Sequence, residues 1–254
     1  MALRWLRESA VDDISKLPCS SHLSPLEVIE RKMLLQKVNT KSVWTVDLIL
    51  LLENLLLAYR GNDAQPNHEN TTYLFGSEVW GVNSSHSTTG YYQKTFDEDS
   101  IRIMKLCQEI TERNLPILCP FHLEFEFFLK LISFNHCIAI VLVDNLILMK
   151  SKNDCNDDVD ERNGERWDKN EAYVGHYVIV CGISRDPDHL VEAYTHDEVE
   201  ASQDEATELT CLVVVNPGIG KRVMYAKPSR LELAWRADGT DCDVIFIAKH
   251  TTER

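Results

Sequence analysis

Apolar positions recur with a helical period through the first half of the chain and with a strand period through the second. Residues 1–8 place Leu3, Trp5 and Leu6 on part of an amphipathic turn, but no capping residue precedes them. Ser24-Pro25-Leu26-Glu27 reads as a capped start, with Ser24 at the N-cap, Pro25 in the first turn and Glu27 at the capping-box position. Leu26, Ile29, Met33 and Leu34 carry that helix to about Val38. Residues 42–57 have Leu, Ile and Val on most faces, which predicts a largely buried helix. Residues 61–93 are polar and rich in Asn, Ser, Thr and Gly, so they read as a loop with one short strand at 73–75. A helix follows over 97–113, with Ile101, Met104 and Ile110 supplying its apolar stripe. Next come a short strand at 116–119 and a helix at 123–134.

Beyond this point the pattern changes. Residues 137–144 (CIAIVLVD) form a continuous apolar run bounded by turns, as expected of a strand covered on both faces. Residues 146–149 extend it or fold back as a hairpin. Further strands are predicted at 174–183, 209–216, 222–225 and 244–249, with a helix at 229–235. Helices first and a mostly antiparallel sheet afterwards describe a single α+β domain over 1–254.

Composition changes this picture in one respect. The formal charge of −14 is uneven: residues 152–171 contribute −4 and residues 185–208 contribute −8, so the remainder is nearly neutral. Both segments read as acidic, solvated inserts without residues to build a core. With no basic face, a nucleic-acid partner is not expected. The apolar runs are too short to span a bilayer and no signal peptide is evident, which points to a cytoplasmic chain, with the nucleus also open. The eight cysteines are scattered without a CxxC pair, and Cys137, Cys181 and Cys211 lie inside strand-like runs as small hydrophobes. Neither a zinc module nor a glycine-centred calcium loop is legible around Asp154, Asp157, Asp158 and Asp160, so no metal and no cofactor is expected. Phe125, Phe127 and Phe128 read as helix packing.

The stretch Gly175-His176-Tyr177-Val178-Ile179-Val180 carries the candidate chemistry, together with Asn216-Pro217 at the end of the next apolar run. Strand alternation puts His176, Val178 and Val180 on one face, and Cys181 on the other. Asn216 closes its strand at a rim, where Pro217 takes the chain out of the ladder. A histidine base needs a fixed tautomer, and a side-chain carbonyl from Asn can hold its Nδ1–H, as in Cys-His-Asn sites. At this level a rim histidine satisfied by its surroundings, beside an Asn that only forms a turn, stays equally open.

The blocks Ser42-Val-Trp-Thr-Val-Asp-Leu48, Tyr91-Tyr92 to Phe96, Ile138-Ala-Ile-Val-Leu-Val-Asp144, Gly175-His-Tyr-Val-Ile-Val180, Asn216-Pro217 and Gly239-Thr-Asp-Cys-Asp-Val-Ile245 occur in this order. Together they resemble the eukaryotic family named for guanylyl cyclase domain-containing protein 1, also called the plant-type soluble guanylyl cyclase family. The resemblance covers about residues 1–9 and 42–249, and the two acidic inserts and residues 10–23 look foreign to it. Members are similar to papain-like peptidases of the bacteriocin-leader-processing type. The resemblance therefore implies a papain-like fold, a helical N-terminal lobe followed by the sheet, with His176 as base and Asn216 as its orienting residue. In the family the N-terminal segment carries a Gln and then Trp-Asp-Cys-Gly-Leu-Ala-Cys before a Met-x-Leu-Arg-aromatic-Leu helix. Met1-Ala2-Leu3-Arg4-Trp5-Leu6 matches only the last part, so the resemblance implies an N-terminally truncated domain without the nucleophile.

Cys19 follows a proline without a glycine-rich approach and is a poor substitute for that nucleophile. The resulting expectation is a non-catalytic or impaired relative that holds a protein or peptide in the cleft near His176. The alternative is an active enzyme: a guanylyl cyclase converting GTP to cyclic GMP, as the family name implies, or a cysteine hydrolase. Asp47, Asp97, Asp144, Asp241 and Asp243 offer no recognisable metal-binding pair for the cyclase reading. Gly218-Ile219-Gly220-Lys221 reads as a turn, not a phosphate cradle.

Overall fold

A computed structural model describes residues 43–62, 71–84, 96–134, 137–149, 173–194, 209–217 and 223–249. The chain divides into two compact units, residues 1–66 and 67–254. The expected helices over 1–8 and 24–38, Cys19 and the insert 152–171 lie outside the described residues.

The first unit contains α1 (Thr45–Asn62). Its start is set locally: the Trp44 carbonyl accepts from the amides of Asp47 and Leu48, and Asp47 Oδ2 accepts from the Trp44 amide at 2.9 Å. This is the returning half of a capping box, and it places a carboxylate where the helix dipole favours one. Val46, Ile49, Leu50, Leu52 and Leu56 are buried, as the apolar run predicts.

The second unit is built on one seven-stranded sheet in the order β2-β1-β7-β3-β4-β5-β6. The strands are β1 (Thr71–Gly76), β2 (Ile117–Leu118), β3 (Cys137–Asp144), β4 (Gly175–Ser184), β5 (Cys211–Val215), β6 (Val223–Ala226) and β7 (Val244–Lys249). Only β1 and β2 run parallel; every other pairing is antiparallel. The α+β class is thus observed, with a sheet that closes only when β7 slots between β1 and β3.

The helices are α2 (Phe96–Glu112), α3 (Phe125–Ser133), α4 (Asn145–Met149), α5 (Pro187–Ala193) and α6 (Pro228–Trp235). An apolar core cluster joins Phe128 of α3, Leu148 of α4 and Trp235 of α6 to Ala139, Val141, Val143, Val178, Val180, Leu212 and Val214 of the sheet. Aromatic contacts bind its helical side, with Phe128 at 5.4 Å from Phe125 and 5.3 Å from Trp235. The Trp235 indole, itself buried, donates to the Asp243 carbonyl at 3.2 Å, so the aromatic core has no unmet donor there. Phe125 and Phe128 are core residues as expected, and Phe127 faces outward.

Three expectations are corrected. Residues 146–149 neither extend β3 nor form a hairpin; they belong to α4, because Asp144 Oδ1 accepts from the Leu146 amide at 2.9 Å and turns the chain out of the strand. Part of the second acidic segment is ordered as α5, where Asp186 caps the Asp188 amide at 2.9 Å and Pro187 occupies the first turn. The buried face of α2 is Ile103, Cys107 and Ile110 at i, i+4 and i+7, while Ile101 and Met104 are 64% and 59% exposed. No helix among the described residues is long and apolar enough to cross a membrane.

Candidate functional site

His176 is the second residue of β4 and pairs across β3 with Val143. Val178 and Val180 share its face and are fully buried, so alternation runs from the apolar core up to a half-buried imidazole at the strand mouth. Asn216 immediately follows β5. The β4–β5 register pairs Ile179 with Val215, which carries Asn216 to the level of Val178, one diagonal step from His176. The side chains meet: His176 Nε2 lies 2.8 Å from Asn216 Oδ1. Asn216 is fully buried.

The amide of Asn216 has a defined orientation. Its Nδ2 faces Asn145 Oδ1 at 3.3 Å, Met149 Sδ at 3.7 Å and Met224 Sδ at 4.0 Å. The thioethers can only accept, so the nitrogen end of the amide belongs on their side. Oδ1 then points to the imidazole, and because a carbonyl cannot donate, Nε2 must carry the proton. In the neutral ring this leaves the lone pair on Nδ1, which makes no hydrogen bond among the described residues. The Asn contact therefore runs through Nε2, a correction to the Nδ1–H arrangement expected from the sequence. The opposite nitrogen keeps the lone pair.

Asn145, Met149 and Met224 were not singled out by the sequence. The only legible signal was the Asp144-Asn145 pair after an apolar strand, which is a turn signal and gives no hint of a polar site. That turn is also stapled to β4, since the Asn145 amide donates to the Val174 carbonyl at 2.9 Å, two residues before the histidine.

None of the six described thiols is poised as a nucleophile. Cys181 donates to the Ile179 carbonyl at 3.8 Å from the face opposite His176, and burial pushes its pKa from 9.0 up to about 12. Burial likewise raises Cys107 and Cys211 to about 11. Cys242 reaches about 12 through burial first and a hydrogen bond to Glu78 second. Cys119 and Cys137 are raised by burial as well. A reactive thiol needs the opposite shift.

The aspartates named in the sequence take part in local structure. Asp241 Oδ1 accepts from Asn83 Nδ2 at 2.7 Å, and its carbonyl accepts from the Glu78 amide at 2.9 Å, joining the loop before β7 to the segment after β1. Asp144 and Asp47 are occupied in the turns described above, and Asp97 sits in the first turn of α2. Among the described residues, no group of three or more His, Cys, Asp and Glu could hold a metal ion. A second histidine contact, Ser184 Oγ to His189 Nδ1 at 2.7 Å, closes the turn into α5, with His189 stacked at 3.8 Å on Tyr225.

These features define an α+β chain with an oriented His–Asn pair at the mouth of its sheet. The guanylylate cyclase family model matches residues 26–247, and the chain belongs to that family. It is 28% identical over 209 residues to guanylyl cyclase 1 of Arabidopsis thaliana, an alignment that takes in 82% of this chain and 61% of the relative. The chain thus spans less than two thirds of the length of that curated relative. No solved structure matches.

Proposed function

We propose that this guanylylate cyclase family chain uses a papain-like His176–Asn216 cleft to bind a protein or peptide segment, without cysteine-hydrolase chemistry. The observation that carries this reading is the 2.8 Å contact through Nε2, which leaves Nδ1 as a fixed acceptor for a backbone or side-chain N–H. The raised pKa values of the described thiols support the second half of the reading, because a covalent route needs a thiolate within reach of the ring. By the papain-like resemblance His176 takes the place of the base and Asn216 that of its orienting residue. The setting we propose is cytoplasmic or nuclear.

A second reading is favoured by the family match and by the name of the plant relative, guanylyl cyclase 1: conversion of GTP to cyclic GMP. The two separate cleanly. GTP turnover, peptide hydrolysis and binding of an immobilised peptide library are measured on the wild type and on His176→Ala. The proposal expects peptide binding that weakens on substitution, with neither turnover present. Cyclic GMP formation or peptide cleavage lost in His176→Ala would overturn the non-catalytic reading.

A further inference from the structure

We infer that Met149 and Met224, whose sulfurs face Asn216 Nδ2 beside Asn145 Oδ1, are positioning residues that set the tautomer of His176 through the amide of Asn216. The functional meaning of this inference rests on the His176–Asn216 reading above; the tautomer itself does not.

A carboxamide is nearly symmetric in shape, so a buried Asn can present either end to a neighbour unless its environment breaks the tie. Turned one way, Asn216 offers Oδ1 to the ring and the neutral histidine is Nε2–H. Turned the other way, it offers Nδ2 and the histidine becomes Nδ1–H, with its lone pair on Nε2 facing Asn216 and a donor in place of an acceptor on the other nitrogen. Asn145 on its own does not break the tie, since its amide could turn in concert. The thioethers do, because neither can donate, and an Asn216 oxygen aimed at them would meet only lone pairs. With that orientation favoured, Asn145 Oδ1 at 3.3 Å accepts from Nδ2 more strongly than either thioether does.

The backbone explains why Asn145 is on hand. It opens α4 directly after Asp144 turns the chain, and its amide is held by the Val174 carbonyl. One turn of helix later, Met149 reaches the same nitrogen of Asn216. The path is therefore short: Met149 of α4 and Met224 of β6 to Asn216, Asn216 to His176. Three consecutive elements of the sheet meet at one ring.

The test is two-bond proton–nitrogen correlation of the histidine side chains, recorded on the full chain at a pH where the ring is neutral. His176→Gln identifies the signal. The expected wild-type pattern is a protonated Nε2 and a bare Nδ1. In the double variant Met149→Gln, Met224→Gln, whose amides can donate to an Asn216 oxygen turned toward them, the ratio of Nε2–H to Nδ1–H forms should fall about fivefold, the worth of one ordinary neutral hydrogen bond gained by the alternative orientation. In Asn145→Asp, whose oxygens only accept, the wild-type ratio should be kept. A wild-type ring in the Nδ1–H form overturns the inference, and that measurement needs no variant of Met149 or Met224 to fold. So does an unchanged ratio in a folded Met149→Gln, Met224→Gln protein, or a ratio in Asn145→Asp as low as in that double variant. If His176→Ala leaves peptide binding intact while the wild-type tautomer is as expected, the functional reading fails and the positioning role stands.

Discussion

The contact between His176 and Asn216 can be measured as an energy. Asn216→Ala removes a fully buried carboxamide, its 2.8 Å bond to the imidazole and its weaker bond to Asn145. Losing one net hydrogen bond, leaving acceptors and donors nearby unmet and opening a small cavity should together cost about 2–3 kcal/mol. His176→Ala removes a half-buried ring from the rim, where water can reach Asn216 Oδ1, and should cost about 1–2 kcal/mol. The double variant should cost about 1 kcal/mol less than the two singles together, because the shared bond is lost once. Urea unfolding followed by far-ultraviolet circular dichroism and by tryptophan fluorescence gives the four stabilities. The unfolding slope should be unchanged across them. Two costs that add within about 0.3–0.5 kcal/mol would mean that the side chains do not touch in solution, and the site as described would fall.

Two further outcomes are expected. The folded thiols of Cys107, Cys181, Cys211 and Cys242 titrate at about 11–12 against 9.0 when unfolded, so above pH 9 the unfolded chain holds fewer protons and stability should drop as pH rises toward 11–12. Urea midpoints at pH 8, 9.5 and 10.5 should fall in that order, and Cys181→Ala should flatten the fall; a slope unaffected by the substitution would refute the assignment for that thiol. Gly239 has φ +100°, and a Cβ there would sit 3.1 Å from the Tyr173 ring, so Gly239→Ala should cost about 1–2 kcal/mol and lower Tm by about 2–6 °C. A calorimetric Tm equal to wild type would show that this loop accommodates the side chain.

What was legible in the sequence follows the strength of each local signal. The run 137–144 and the run 244–249 were read with the observed boundaries, since a continuous apolar stretch between turn residues leaves a strand little choice. The pairing of His176 with Asn216 was legible because one opens a strand and the other follows the end of the next, at the same rim, and alternation is a strict period. What was missed depends on geometry that no periodicity encodes. Leu146 to Met149 look like more strand, and only the Asp144 side chain, by capping the next turn, makes them helix. Ile101 and Met104 are apolar but lie on the far side of α2 from Ile103, Cys107 and Ile110, and their exposure could not be told from the residue types. Which imidazole nitrogen meets Asn216 depends on the direction of approach, set by the two backbones. The acceptors behind Asn216 come from Asn145, Met149 and Met224, which are far from it in sequence or ordinary in type.

The place of β7 has a consequence for how the chain is made. This strand hydrogen-bonds to β1 on one edge and β3 on the other, and its partners in β1 precede it by roughly 170 residues. As the polypeptide leaves the ribosome, β1 with β2 and the later strands from β3 onward can only wait as separate halves. A premature stop between residues 226 and 244 would release both halves with bare edges, ready to pair with other molecules.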